Sequence, residues 1–290
     1  MKQVAAKPIE ITNALSFDIE DWFHMLGIPA LENPEGWPGF ESIVERHTEW
    51  IVQTVTEANV RATFFVVGWI AERYPYLVKL IADAGHELGT HSYWHRKCYE
   101  LTPEELSEDL KRSIGVIEHI GGQRVLGFRA PAFSIIPGSE WVFDVLHDVG
   151  LKYDASLFPV PRDHGGYPCP VEAHEFTGAP SGRPMPELPM SIMRVLGRGL
   201  AFSGGGYMRL LPQCLIRKGF EQLNRQGIPV VAYLHPRDFA VECPRVPMPP
   251  HRRFKNYVGL HTTADKLRML LANYRFDTCA AVVGLNAARQ

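Results

Sequence analysis

"ALSFDIEDWFHM" (14–25) runs apolar residues straight into three acids, Asp18, Glu20 and Asp21, and closes on His24. The lead-in "NALSFDI" (13–19) reads as a buried strand. Carboxylates at the end of such a strand need a cation or a hydrogen-bond network to hold them. On an extended chain Asp18 and Glu20 face one side and Ile19 the other. The stretch therefore reads as one stave of a parallel α/β sheet whose carboxy-terminal end carries chemistry.

Working outward, short β-rich runs alternate with helical patterns, the signature of βαβ units and a parallel sheet or barrel. "FESIVERHTEWIVQTVTEANV" (40–60) predicts an amphipathic helix and "RATFFVVG" (61–68) a fully buried strand. A helix over 69–84 and the strand "HELGTH" (86–91) follow. Thr102, with Pro103 behind it and Glu105 three residues on, opens the next helix as a capping box, and Gly121 and Gly122 stop it. "RVLGFRA" and "LKYDAS" read as strands around a helix at 138–148. Residues 159–212, rich in Pro and Gly, read as an irregular insertion with room for a β-hairpin. A helix at 211–226, the strand "IPVVAYLHP" (228–236), a Pro-rich loop at 244–250, a helix at 262–273 and a last strand at 275–283 complete the pattern.

The chain has 290 residues, 46% hydrophobic and 21% charged, enough apolar material for one large domain over 1–290. A formal net charge of -2, with no basic stripe, argues against a nucleic-acid partner. Five scattered cysteines without a Cys-x-x-Cys pair read as reduced thiols. "MKQVAAKPIEITNAL" lacks an apolar signal core, and no window reaches about 18 uninterrupted apolar residues. The expectation is a cytoplasmic protein with no transmembrane segment.

The chemistry-bearing residues fall at the predicted strand ends: Asp18, Glu20 and Asp21, then His91, Arg129, Asp154 and His235. "HSYWH" sets His91 and His95 four apart, a spacing that on a helical turn aims both imidazoles at one divalent ion. Two histidines leave room for a carboxylate ligand and a water. Trp22, Phe23, Tyr93, Trp94 and Phe133 lie beside these motifs, where they could stack on a ligand or simply pack. His24 reads as a donor behind the ligands or as a surface residue, and "SGGGY" (203–207) as a tight turn or a substrate-facing loop.

In this order, "SFDIED", "HSYWH", "FRAP" and "YLHP" resemble the motifs of the polysaccharide deacetylase superfamily, the NodB-homology or carbohydrate esterase family four enzymes. "SGGGYMRLLP" and "HRRFKNYVGL" resemble a subgroup associated with bacterial exopolysaccharide or surface-glycan clusters. The resemblance implies a distorted (β/α)7-type barrel with its core at about 13–240 and an extension, 241–290, packed on it. It also implies a divalent metal, zinc first, with cobalt, nickel or manganese as alternatives, and an N-acetylated carbohydrate substrate. Carried over, it makes Asp18 the general base, His91 and His95 metal ligands, Arg129 the residue orienting the base, and His235 the general acid. Asp154 would sit beside His235, and the Ala132 N–H would face the oxyanion. Common members carry a second aspartate directly after the first, where this chain has Ile19. The third ligand is then Glu20, by strand alternation, or Asp21 if the strand ends at Asp18.

The activity implied is removal of N-acetyl groups from an amino sugar in bacterial polysaccharide or surface-glycan biosynthesis. The same machinery could act on a formamide, a ureide or an acetyl ester, or persist as an inactive glycan-binding barrel.

Overall fold

Alternate residues along each central strand bury against two different layers, and this alternation sets the architecture. The computed structural model describes residues 11–285. In chain order it contains β1 (Thr12–Ile19), α1 (Val44–Glu57), β2 (Thr63–Val66), α2 (Gly68–Arg73), α3 (Pro75–Asp83), β3 (Glu87–Thr90), α4 (Pro103–Gly121), β4 (Gly127–Phe128), α5 (Trp141–Asp148) and β5 (Tyr153–Asp154). There follow β6 (His174–Phe176), β7 (Met185–Glu187), β8 (Ile192–Val195), β9 (Arg198–Ala201), α6 (Gly205–Leu210), α7 (Gln213–Asn224), β10 (Val231–Leu234), α8 (Pro250–Tyr257), α9 (Thr263–Asn273), β11 (Arg275–Asp277) and α10 (Cys279–Val282).

The main sheet runs β10-β1-β2-β3-β4-β5-β7-β6, with β11 pairing on β1. Every pairing is parallel except β6 with β7. Leu15, Phe17 and Ile19 of β1, Leu88 of β3, Phe128 of β4 and Leu234 of β10 face outward, packing on apolar faces of α1, α3, α4, α5, α7 and α9. Ala14 of β1, Phe65 of β2, Tyr153 of β5 and Tyr233 of β10 face inward to a second core. Each large side chain buried this way contributes about 1.5–3 kcal/mol. Among the described residues no ladder joins β10 to β7. The segment 188–204 closes that gap, where Met190 N donates to Leu157 O (2.8 Å), Val231 N to Ser191 Oγ (2.9 Å) and Tyr233 N to Ser203 O (3.1 Å). The barrel is distorted at this seam.

The sequence expectations meet the structure with four differences. The helix expected over 69–84 is two, because Pro75 has no N–H to continue α2 and instead opens α3. The insertion holds two antiparallel pairs, and β7 joins the main sheet while β8 and β9 form a separate hairpin. The last strand stops at Asp277, because Thr278 Oγ1 accepts Ala281 N (3.1 Å) and caps α10. The Pro-rich loop runs into α8, a helix that the sequence reading lacked. The amino-terminal reading rests mainly on residues 1–10, which lie outside the described residues, as do 286–290 of the expected extension. Among the described residues no helix is long and apolar enough to cross a membrane, and all five cysteines are free thiols.

Behind the sheet, Asp154 and Glu187 are register partners with fully buried carboxyls. Burial pushes both carboxyls up, and the Asp154 charge drives Glu187 well above the ordinary value of 4.5. The pair therefore favours holding a proton over carrying two charges. As pH rises above 4.5 the unfolded chain ionises while the folded pair keeps its proton, so stability falls. Glu187→Gln should flatten this slope, read from chemical denaturation midpoints between pH 4.5 and 8. An unchanged slope would mean that the pair holds no proton.

Candidate active site

Where β1 ends, backbone geometry separates the three acids. Asp18 keeps the inward parity of Ala14 and Ser16, and Glu20 follows it two residues on. Asp21 instead caps the 3-10 turn Trp22–His24. Its Oδ1 accepts Trp22 N (2.8 Å) and Ile43 N (3.3 Å), and its Oδ2 takes the Ser42 hydroxyl. Burial raises its carboxyl to about 6 against those hydrogen bonds. Glu20 Oε2 lies 2.6 Å from His95 Nε2. Burial alone would raise Glu20, but His95, His235 and His91 outweigh it and hold the carboxyl below the usual range.

His91 stands just past β3, whereas His95 does not sit on the expected helical turn. Residues 91–97 form a loop in which Ser92 (φ 61°) and His95 (φ 54°) adopt the left-handed region. The loop is pinned from α4: the Asp109 carboxylate accepts Tyr93 N (2.6 Å) and Trp94 N (3.0 Å), and Ser113 Oγ donates to Ser92 O (3.1 Å). Ser92 Oγ in turn accepts His95 N (2.9 Å). The left-handed residue re-aims the imidazole at a cost of order 1–3 kcal/mol, borne by these contacts.

Glu20, His91 and His95 are buried, with one potential ligand atom each and all of these atoms within 4.8 Å of one another. Two observations test whether a divalent cation fits. His91 Nδ1 lies 2.7 Å from Arg129 O, so it must carry the proton and leaves Nε2 with a free lone pair. Burial pushes His91 down to about 4, keeping it neutral. At His95 neither ring nitrogen satisfies hydrogen-bond geometry, although Nε2 lies so close to Glu20. The two atoms converge on a common point without pointing at each other. A carboxylate and two imidazoles match an open catalytic zinc set.

Arg129 is fully buried inside the barrel. It donates to Asp18 Oδ1 (2.8 Å), Ser16 Oγ (2.8 Å) and Ala155 O (3.1 Å), with its guanidinium 4.3 Å over the Phe65 ring. Across the cleft, His235 Nε2 lies 3.7 Å from Asp18 Oδ2 and 3.9 Å from Glu20 Oε1. The carboxylate behind His235 is Asp238, not Asp154. Asp238 Oδ2 meets His235 Nδ1 at 2.8 Å, and its Oδ1 pairs with Arg209 at 3.0 Å. Burial opposes a charge on His235, but Asp238, Glu20 and Asp18 outweigh it and raise its pKa. Asp154 fails to reach because it is in register with outward-facing Phe128. It accepts the Ser156 hydroxyl (2.6 Å), and Ser156 Oγ accepts Ala130 N (2.7 Å), so its effect is on the turn after β4. The sequence carried a signal for Asp238 in "HPRDF": an acid three residues after a histidine, with proline at the first turn position, makes a capping box.

A cavity of about 190 Å³ opens onto these groups, lined also by Ala132, Phe133, His24 and Gly205. Ala132 (φ 54°) and Phe133 (φ 58°) are both left-handed, and no hydrogen bond takes the Ala132 N–H among the described residues. His24 accepts Asp21 N on Nδ1 (3.0 Å), and its Nε2 has no partner. Burial pushes its pKa down to about 3, so the ring is neutral. Of the aromatics, Phe133 faces the cleft and Phe23 and Trp94 line an adjoining cavity, while Trp22 and Tyr93 are packed away. "SGGGY" is the turn that opens α6, with Gly204 bridged to Tyr233.

Residues 36–153 match the polysaccharide deacetylase family model, and residues 155–284 match a domain family of unknown function, DUF3473. The peptidoglycan deacetylase-like protein FGM2 of Gibberella zeae is 34% identical over 97 residues, 33% of this chain and 28% of that protein. A chitooligosaccharide deacetylase of Azorhizobium caulinodans is 29% identical over 117 residues, 40% and 54% of the two chains. The chain spans about a third of the length of the first curated relatives it matches. In fold it is similar to a crystal structure from Mycobacterium smegmatis described as a polysaccharide deacetylase, with TM-score 0.62, 19% identity and coverage of 96% and 91%.

Replacing each acid separates the two assignments for the third ligand. Glu20→Gln should abolish stoichiometric zinc uptake measured by elemental analysis. Asp21→Asn should keep the metal and lose about 1 kcal/mol of stability through its weakened cap. Metal retained by the first variant and lost by the second would reverse the assignment.

Proposed function

The chain belongs to the polysaccharide deacetylase superfamily, and on that premise we propose that it is a metal-dependent hydrolase that removes N-acetyl groups from an amino sugar. The setting we propose is bacterial polysaccharide or surface-glycan assembly. The observation that carries the reading is convergence: a carboxylate held by arginine, a Glu-His-His donor set and a carboxylate-backed histidine all face one cleft.

Glu20, His91 and His95 would hold the ion, zinc first, with cobalt, nickel or manganese also accepted by such donors. When bound, the ion supplies Lewis acidity for the amide carbonyl and the attacking water. Asp18, kept in place by Arg129, accepts a proton from the water as its oxygen bonds to the carbonyl carbon. The Ala132 N–H offers a donor to the oxygen that becomes negative. His235 then donates its Nε2 proton to the sugar nitrogen as the C–N bond breaks, because an amine leaves only when protonated. Acetic acid and the free amine result; the acid's proton and the one on Asp18 pass to solvent, and His235 takes one back to restore its charged form. Asp238 holds the His235 Nδ1 proton and favours the charged form needed for that step.

Acetate release from N-acetylglucosamine oligosaccharides by the zinc-loaded protein tests this. Chelation should abolish release, and Asp18→Asn should lower kcat by about 10²–10⁴-fold with metal content unchanged. A zinc-loaded protein that binds such sugars and releases nothing would instead be a glycan-binding barrel. Asp238→Asn should lower kcat by at least about tenfold and leave KM nearly unchanged, since Asp238 acts through His235.

A further inference from the structure

The mouth of the cleft carries more fixed positive charge than its own acids neutralise. Each lining carboxylate has a partner: Asp18 has Arg129, Glu20 has the imidazoles, Asp238 has Arg209 and His235, and Asp163 has Lys255 at 2.6 Å. Arg162 and Arg252 also line the cleft, as does the buried Arg237 held by Asn256, and none of the three forms an ion pair among the described residues. Arg162 and Arg252 are likewise held by neutral groups. The Arg162 guanidinium lies 4.3 Å over Phe158 and 5.1 Å from the Phe133 ring, and it donates to Tyr233 Oη (3.2 Å). Arg252 donates to the carbonyls of Gly27 and of Leu26 (3.1 Å). It lies so close to Gly27 (φ 71°) that a Cβ there would stand 2.6 Å from its Nη2.

These arginines come from segments far apart in sequence, one before β6 and the other on α8. Half-buried and docked on rings and carbonyls, they have little rotamer freedom left to lose on meeting a ligand. His164 lines the same wall and feels part of its positive charge. Burial first, then Lys97, Arg252 and Lys255, keep that imidazole below its ordinary pKa despite Asp163. A divalent ion at Glu20, His91 and His95 would add to the positive potential.

We propose that the cleft takes an anionic glycan, in which a carboxylate or phosphate on a unit near the N-acetyl sugar is bound by Arg162 and Arg252. The inference rests on the deacetylase reading for the N-acetyl sugar, and on the two arginines for the charge. Planar guanidinium forks suit both carboxylate and phosphate oxygens, so the two sources share one chemistry.

Calorimetric binding to the full zinc-loaded chain separates the sources and does not depend on turnover. Three ligands are compared in 50 and 300 mM NaCl: neutral chitotriose, an oligosaccharide of the same length with a uronate beside N-acetylglucosamine, and UDP-N-acetylglucosamine. At least one anionic ligand should bind about tenfold or more tighter than chitotriose in low salt, and the advantage should shrink in high salt. Which one does so identifies carboxylate or phosphate. Arg162→Gln and Arg252→Gln should each cut the preference about tenfold, while Arg162→Lys, which keeps the charge, should retain most of it. Equal or tighter binding of chitotriose, no binding of any ligand, or a preference untouched in folded glutamine variants would overturn the proposal. A retained anionic preference without acetate release would overturn the deacetylase reading alone. Deacetylation of neutral and anionic substrates with equal KM would overturn this inference alone.

Discussion

The ion pair between Arg129 and Asp18 is fully buried, and most of the site is arranged around it. Removing two charges from water costs several kcal/mol each, which the pair's mutual attraction and the other contacts of the guanidinium offset. Ser16 and Ala155 accept further donors and the Phe65 face covers it, while the buried Nη2 has no hydrogen-bond partner among the described residues. Because β1 and β4 are not neighbours in the sheet, this contact spans the barrel interior. The same residue's carbonyl sets the tautomer of His91. One arginine thus orients the candidate base with its side chain and a candidate ligand with its backbone. Losing either partner would leave an uncompensated charge, at a cost of about 3–5 kcal/mol.

Strand parity made much of this legible in the sequence. It separated Asp18 and Glu20 from Ile19, and the structure keeps Glu20 with the histidines while Asp21 caps a turn. The same rule, applied to "LKYDAS", would have turned Asp154 away, since inward Tyr153 and Ala155 flank it. The helical turn expected for His91 and His95 failed for a different reason. The loop takes its shape from Asp109 and Ser113, on a helix that local spacing cannot foresee. β7 was equally hidden: three residues with a central proline form a strand only because β5 and β6 are there to pair with it.

The boundary between the two family matches falls immediately after β5. The second region therefore supplies β7, β10 and β11 to the same sheet as the first. It also supplies His235, Asp238 and Arg209, together with Arg162 and Arg252 at the mouth. Its unknown role acquires content from this placement. The first region carries the candidate ligands His91 and His95 and the arginine that holds the base, with Asp18 and Glu20 on the strand just before it, and the second carries the candidate acid and much of the wall that a substrate would meet.

β1 pairs with β2 on one edge, and its other edge receives β10 and β11, with Ala14 opposite Val231 and Thr12 opposite Arg275. During synthesis that edge stays without its partners until more than two hundred further residues have left the ribosome. Closure of such distant contacts is slow, and an open apolar strand edge invites pairing with other chains. The strand that bears Asp18 is therefore made before every other strand of its sheet and is among the last to be completed. A nascent chain stalled before β10 would present it as a sticky edge that calls for chaperone cover.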